Sequence, residues 1–133
     1  MRVNIIRDST SGGVNNSKFI RGDTESIRVR IAGQSITPAN FGFKFTAKVS
    51  VSDPDGDAVI SKSSAVSGGI VVSAINSNLI EAVIAIASTD TELLGDGDEL
   101  IYDIQMTTVT PASVRTLEKG KFKIEADITL DND

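Results

Sequence analysis

The sequence contains no cysteine, no histidine and no tryptophan. Without cysteine the chain cannot form disulfides, thiolate metal sites or a cysteine nucleophile. Without histidine it lacks the commonest metal ligand and the commonest general base at neutral pH. No spacing of hydroxyls and carboxylates sets a nucleophile beside a base, and no glycine-rich loop ends in Lys-Ser or Lys-Thr as a phosphate-binding loop does. We therefore expect a protein that is not an enzyme and uses no cofactor and no metal.

Long apolar runs are also absent. No run reaches the roughly 18 residues that a membrane-spanning helix needs, and residues 1–4 do not resemble the start of a signal peptide. The net charge is −5, and no basic run is interleaved with aromatic residues as in a nucleic-acid-binding surface. We expect a protein made in the cytoplasm that binds neither membranes nor nucleic acid.

Charge is distributed unevenly along the chain. Residues 1–48 contain eight Lys and Arg against three acidic residues, whereas residues 49–133 contain five against fifteen. Two interpretations are open. Neighbouring strands of one fold bring the opposite charges together, or the surface is bipolar and steers one copy of the chain onto the next.

The chain is rich in Val and Ile at alternate positions, which is typical of strands with one buried face. The longest alternating run is Phe41–Val51, whose Phe43 and Phe45 should lie at the centre of the core. Further strands are predicted at residues 26–31, 58–60, 69–73, 79–86 and 100–106, and residues 114–129 are predicted to form one or two more strands with a tight turn. One helical turn is predicted at 88–94, with Thr89 as its cap. Turn signals recur about every ten residues. The pattern predicts an all-β, antiparallel, immunoglobulin-like β-sandwich of about eight strands.

The N-terminal 17 residues differ from the rest. Asp8 to Ser17 is polar and rich in Ser, Gly and Asn, so we predict an N-terminal arm over residues 1–17 and the sandwich over 18–133. The arm begins with an apolar patch between two arginines, and we predict that it binds a partner by adding a strand to a neighbour's sheet edge. The predicted partner-binding residues are Arg2, Val3, Ile5, Ile6 and Arg7. The alternative is that this strand folds back onto its own domain.

Three short motifs suggest binding sites. Arg21-Gly22-Asp23 is the integrin-binding tripeptide, but Gly22 more simply provides a turn before the next strand. Asp53–Asp57 resembles the start of a calcium loop, yet an EF-hand needs Gly at its sixth position and Glu at its twelfth, where this chain has Ala58 and Ser64. Solvated turns are the better interpretation there and at Asp96–Glu99.

Two adjacent strands near the C-terminus carry a distinctive combination of residues. Tyr102-Asp103-Ile104-Gln105 is followed by Thr116-Leu117, by a turn at Gly120 and by a strand that closes on Asp127-Ile128-Thr129. Upstream, Arg21-Gly22-Asp23-Thr24 leads into the first core strand. Together these segments resemble small β-sandwich structural proteins of tailed bacteriophages, such as baseplate or tail-fibre connector domains. The resemblance covers residues 18–31 and 84–129.

The resemblance implies a structural component of a tailed-phage virion, made in the host cytoplasm, that docks on other virion structural proteins in several copies. It implies a homo-oligomer placed on the tail, the baseplate or the capsid. The alternative is an immunoglobulin-like adhesion or carbohydrate-binding module. Sugar sites usually present Trp or Tyr rings, and this chain has no Trp and one Tyr, which stands in a predicted core strand.

Overall fold

A computed structural model describes residues 2–9, 18–20, 25–49, 58–65, 67–91 and 99–125. Within these ranges the chain forms nine strands, a single 3₁₀ turn at Pro38–Asn40 and a four-residue helix, α1, at Ser88–Thr91. The strands are β1 (Arg2–Ser9), β2 (Lys18–Ile20), β3 (Glu25–Ala32), β4 (Phe41–Lys48), β5 (Ile60–Ser63), β6 (Ile70–Asn76), β7 (Leu79–Ile86), β8 (Glu99–Thr108) and β9 (Ser113–Glu125). In the part of the chain described, no helix is long and apolar enough to cross a membrane.

The strands form two packed sheets. The first has the order β1-β3-β7-β6, and the second has the order β2-β9-β8-β4-β5. All pairs are antiparallel except β2 with β9. We take β1 and β2 as two parts of strand A of an immunoglobulin sandwich. The first sheet then has the order A-B-E-D and the second has the order G-F-C, where β4 is strand C and β5 is an additional strand beside it. The predicted fold class is confirmed.

The core lies between the inner faces of the two sheets. Phe41, Phe43, Phe45 and Ala47 of β4 are buried, as the alternation predicts. They meet the inner residues of the other long strands, which include Val29, Ile31, Ile80, Ile84, Leu100, Ile104 and Phe122. The predicted strand was too long, because β4 ends at Lys48, where its pairing with β8 ends, and Val49 is 64% exposed.

The N-terminal segment is part of the sandwich in this structure. Residues 2–9 form β1, which pairs antiparallel with β3 from Arg2 opposite Ala32 to Ser9 opposite Glu25. Val3 and Ile5 pack against the core. The structure thus shows, for residues 2–9, the strand folded back onto its own domain that the sequence left as an alternative. Residues 10–17 lie outside the described ranges.

The predicted turn at Gly120 is wrong. Strand β9 runs unbroken from Ser113 to Glu125, and Gly120 lies in its interior, opposite Tyr102 of β8. A β-bulge at Leu117 shifts the register, so that Ile104 pairs with Glu118 while Gln105 pairs with Thr116. The glycine is needed here for space, because a Cβ at this position would lie only 3.1 Å from the Tyr102 ring.

The predicted helical turn exists, but its cap is different. Thr89 lies within α1, and the backbone N–H of Ala87 just before the helix donates to Asp90 Oδ2 at 2.7 Å. The same carboxylate oxygen lies 2.8 Å from Lys62 Nζ of β5. Asp90 therefore fixes the start of the helix and joins the edge of the second sheet to the end of β7.

Candidate docking surfaces

The residues predicted to bind a partner lie on both faces of β1. Strand alternation directs Val3 and Ile5 into the chain's own core. Arg2 is exposed, and Ile6 is half-buried on the outer face, opposite Arg28 of β3. Arg7 is opposite Ile27 in the register, and its side chain lies outside the description. The five residues therefore do not form one patch, and their binding of a partner stays a prediction.

The outer face of the first sheet has a charged centre. Glu81 of β7 lies between Arg28 and Arg30 of β3, with Oε2 2.8 Å from Arg30 Nε and Oε1 3.5 Å from Arg28 Nη1. The Glu81 side chain is only 8% exposed, so its charge is neutralised by hydrogen-bonded partners. Arginines from the basic part of the chain thus meet a carboxylate from the acidic part within one sheet. At this position the structure agrees with the interpretation that neighbouring strands of one fold bring opposite charges together.

Strand β6 forms one edge of this sheet and is unusually apolar for an edge. It exposes Val71 (69%) and Ile75 (52%). No charged residue stands between Lys62 and Glu81, which is the longest uncharged stretch of the sequence. The other three edge strands carry charges: Arg2, Arg7 and Asp8 in β1, Lys18 in β2 and Lys62 in β5. Charged residues are the usual protection of a strand edge against unwanted pairing.

The hydrogen bonds of β6 identify which backbone groups face outward. The Ala85 N–H of β7 donates to the Gly69 carbonyl oxygen at 3.0 Å. Because backbone groups alternate in direction along a strand, Val71 and Ser73 also face β7, and Val72 and Ala74 present their N–H and C=O groups to the open edge. Just before the strand begins, β5 lies alongside the chain, and the Ser63 N–H donates to the Gly68 carbonyl oxygen at 2.8 Å.

The outer face of the second sheet is rich in lysine. Lys44 and Lys48 of β4 and Lys119 of β9 surround Asp103 of β8 in a shallow depression of about 120 Å³. Thr46, at its floor, is buried although it points away from the core. At one end of this face Lys121 Nζ lies 3.8 Å from Glu99 Oε1. The face is basic although the chain as a whole is acidic.

Tyr102 occupies a half-buried position at the inner face of β8. Its ring centroid lies 5.8 Å from that of Phe45 and 5.6 Å from that of Phe122. Its hydroxyl donates to Glu118 Oε2 at 2.9 Å. Gly120 lies directly opposite in the register and leaves room for the ring. Residues far apart in the sequence therefore form one packed unit, and the only Tyr ring of the chain belongs to the core.

The motifs with possible binding roles lie mostly outside the described ranges, including Arg21-Gly22-Asp23, Asp53–Asp57 and Asp96–Asp98. Among the described residues no three carboxylates lie together as a metal site would require.

Sequence reasoning did not identify the β6 edge. The signal available was the missing charge between Lys62 and Glu81, which acquires meaning only once β6 is known to be an edge.

Comparison with known proteins does not assign the chain to a family. No family model matches it, and no curated protein matches it. Among solved structures, the chain is similar to the crystal structure of MtrC from Shewanella baltica OS185, with a TM-score of 0.38 and 11% sequence identity. The similarity covers 96% of this chain and 22% of that chain, so this chain spans about a fifth of that protein's length. At such a TM-score the similarity adds nothing to what the strands themselves indicate about fold or function.

Proposed function

We propose that this chain is a structural protein of a tailed-phage virion, a module that docks on other virion proteins in several copies. The observation that carries the proposal is the combination of residues on β8 and β9 that resembles the phage sandwich proteins. Tyr102 and Gly120 are two of its members, and they depend on each other sterically because the glycine makes room for the ring. These two residues of the combination therefore serve one structural requirement, the packing of the Tyr102 ring beside β9.

The physical properties of the sandwich suit a role in assembly. Its core is continuous and built from fully buried aliphatic and aromatic side chains, so the scaffold holds its faces in fixed positions. It offers other proteins three chemically different surfaces, namely a lysine-rich face on the second sheet, a paired Arg–Glu face on the first sheet and the uncharged β6 edge. Different neighbours in a particle can then be distinguished by charge and by strand pairing.

The alternative is an immunoglobulin-like adhesion or carbohydrate-binding module. Such sites commonly use exposed aromatic rings as stacking platforms. Here Phe41, Phe43, Phe45 and Phe122 are buried, and Tyr102 packs between two of them. These five rings are therefore used in the core, which favours the virion role over sugar binding.

The proposal is tested by locating the chain in particles. Phage particles released from the source cells would be purified by density-gradient banding, and the chain would be sought by mass spectrometry and by antibody-gold electron microscopy. The expected result is several copies per particle at one defined position on the tail, baseplate or capsid. A chain that stays in the soluble fraction while all tail and capsid proteins band together would overturn the proposal.

A further inference from the structure

We propose that strand β6 is a self-pairing edge, through which two copies of this chain join their first sheets antiparallel across a two-fold axis at Ser73. The inference rests on the proposed function only for assembly in several copies. Its structural basis is the edge itself, an uncharged strand with exposed apolar side chains whose outward backbone groups pair with no strand of the described ranges.

The backbone of β6 fits a symmetric pair. Val72 and Ala74 present their N–H and C=O groups outward. With the axis at Ser73, Val72 of each copy lies opposite Ala74 of the other, so each such pair exchanges two backbone hydrogen bonds. Ser73 then lies opposite its own copy in a pair without backbone hydrogen bonds, where side chains approach most closely. A two-fold arrangement satisfies the same groups in both copies and leaves no open β6 edge for a third.

The side chains of β6 fit the same register. The register shift between Ala74 and Asn76 falls at Ile75 and confines regular pairing to the residues from Val72 to Ala74. Exposed Val71 and Ile75 flank this central segment, so each copy brings apolar side chains to both ends of the paired region.

Charge favours a second copy over an arbitrary strand. Two like surfaces meet across a two-fold axis, so any charge at the centre of β6 would face an identical charge. The strand and both its flanks lack charge from Lys62 to Glu81, although charged residues make up 23% of the chain. The other edges could not pair with themselves so easily, since each carries a charged side chain.

The test is made simple by the absence of native cysteine. Ser73→Cys would place two thiols opposite each other at about 4.5 Å between Cα atoms, which is within the range of a disulfide. The matched control is Ser61→Cys on β5, an exposed position at the edge of the other sheet. Under mild oxidation, Ser73→Cys should convert mostly to a covalent dimer at concentrations where Ser61→Cys remains monomeric.

A second pair of variants measures the non-covalent contact. Sedimentation equilibrium of the unmodified full chain should show a monomer–dimer equilibrium. Ser73→Lys should shift it to monomer because two lysines would meet at the axis, and Ser61→Lys should leave it unchanged. Thermal melting followed by circular dichroism verifies that both variants are folded.

Three results would overturn self-pairing: a chain that is monomeric at its highest soluble concentration, Ser73→Cys that cross-links no faster than Ser61→Cys, or open-ended oligomers, because a two-fold pair is closed. None of these results removes the virion role, since another virion protein would then be the occupant of the edge. Conversely, a dimer from a chain absent from particles would retain this inference and remove the proposed function.

Discussion

Substitution of Gly120 by alanine should destabilise the protein, although alanine is normally the better residue inside a strand. The added Cβ would lie 3.1 Å from Cε1, 3.2 Å from Oη and 3.3 Å from Cζ of Tyr102, all closer than an ordinary carbon contact. The ring cannot easily retreat, because it packs against Phe45 and Phe122 and its hydroxyl is bonded to Glu118. Overpacking costs about 1–3 kcal/mol, and removing a strand glycine returns about 0.5–1 kcal/mol. We expect a net loss of about 1 kcal/mol.

Urea unfolding followed by far-UV circular dichroism measures this loss as a lower midpoint with an unchanged slope. The matched background is Tyr102→Leu, which removes the ring atoms that the new Cβ would touch and keeps an apolar side chain in the core. In that background Gly120→Ala should be neutral or stabilising. If Gly120→Ala does not lower the stability of the natural chain, or lowers it equally in both backgrounds, the steric account of this glycine is wrong.

Four further outcomes are expected. Phe45→Ala should lower the free energy of unfolding by about 3–5 kcal/mol in the same assay, because the ring is fully buried in the core; a loss below about 1 kcal/mol would contradict its central position. Lys62→Met should cost about 1 kcal/mol by leaving the Asp90 carboxylate without its cation, and high salt should weaken the difference. Deletion of residues 1–9 should lower the melting temperature markedly, since β1 covers the edge of β3; an unchanged melting temperature would return these residues to the role of a separate arm. Millimolar calcium should leave the melting temperature unchanged, whereas a rise of several degrees that EDTA reverses would identify a cation site in a segment such as Asp53–Asp57.

The sandwich could be predicted from the sequence because its signal is local and repeated. In β4, alternate residues from Phe41 to Ala47 are apolar, and all of them are buried. Strands β3, β7 and β8 follow the same rule, since each has one face on the core. The alternation of apolar residues indicates which face of a strand is buried, but it does not indicate which strand lies next to it. The structure differs from the sequence-based prediction where a residue's role depends on the neighbouring strand.

Gly120 and the N-terminal segment are two such points. Glycine after Lys119 predicts a turn, because glycine is common in turns. Its role depends on Tyr102, which lies on another strand and becomes its neighbour only through the pairing of β8 with β9. Likewise, Val3 and Ile5 carry the alternation of a core strand, but the polar residues from Asp8 onward separated them from the sandwich in the sequence. Their partner, β3, is supplied by the fold.

The role of the apolar residues in β6 also depends on which strands lie next to it. Strands β6 and β7 are both rich in Ile, Val and Ala, and the sequence alone does not distinguish them. For β7, which lies between β3 and β6, apolar residues are ordinary because both neighbours are present. For β6, the same composition leaves Val71 and Ile75 exposed beside backbone groups that no other described strand bonds. Natural proteins protect such an edge unless something pairs with it. The absence of charged residues on β6 is therefore better explained by a strand partner than by chance. Cross-linking of the Ser73→Cys variant tests whether that partner is a second copy of the chain.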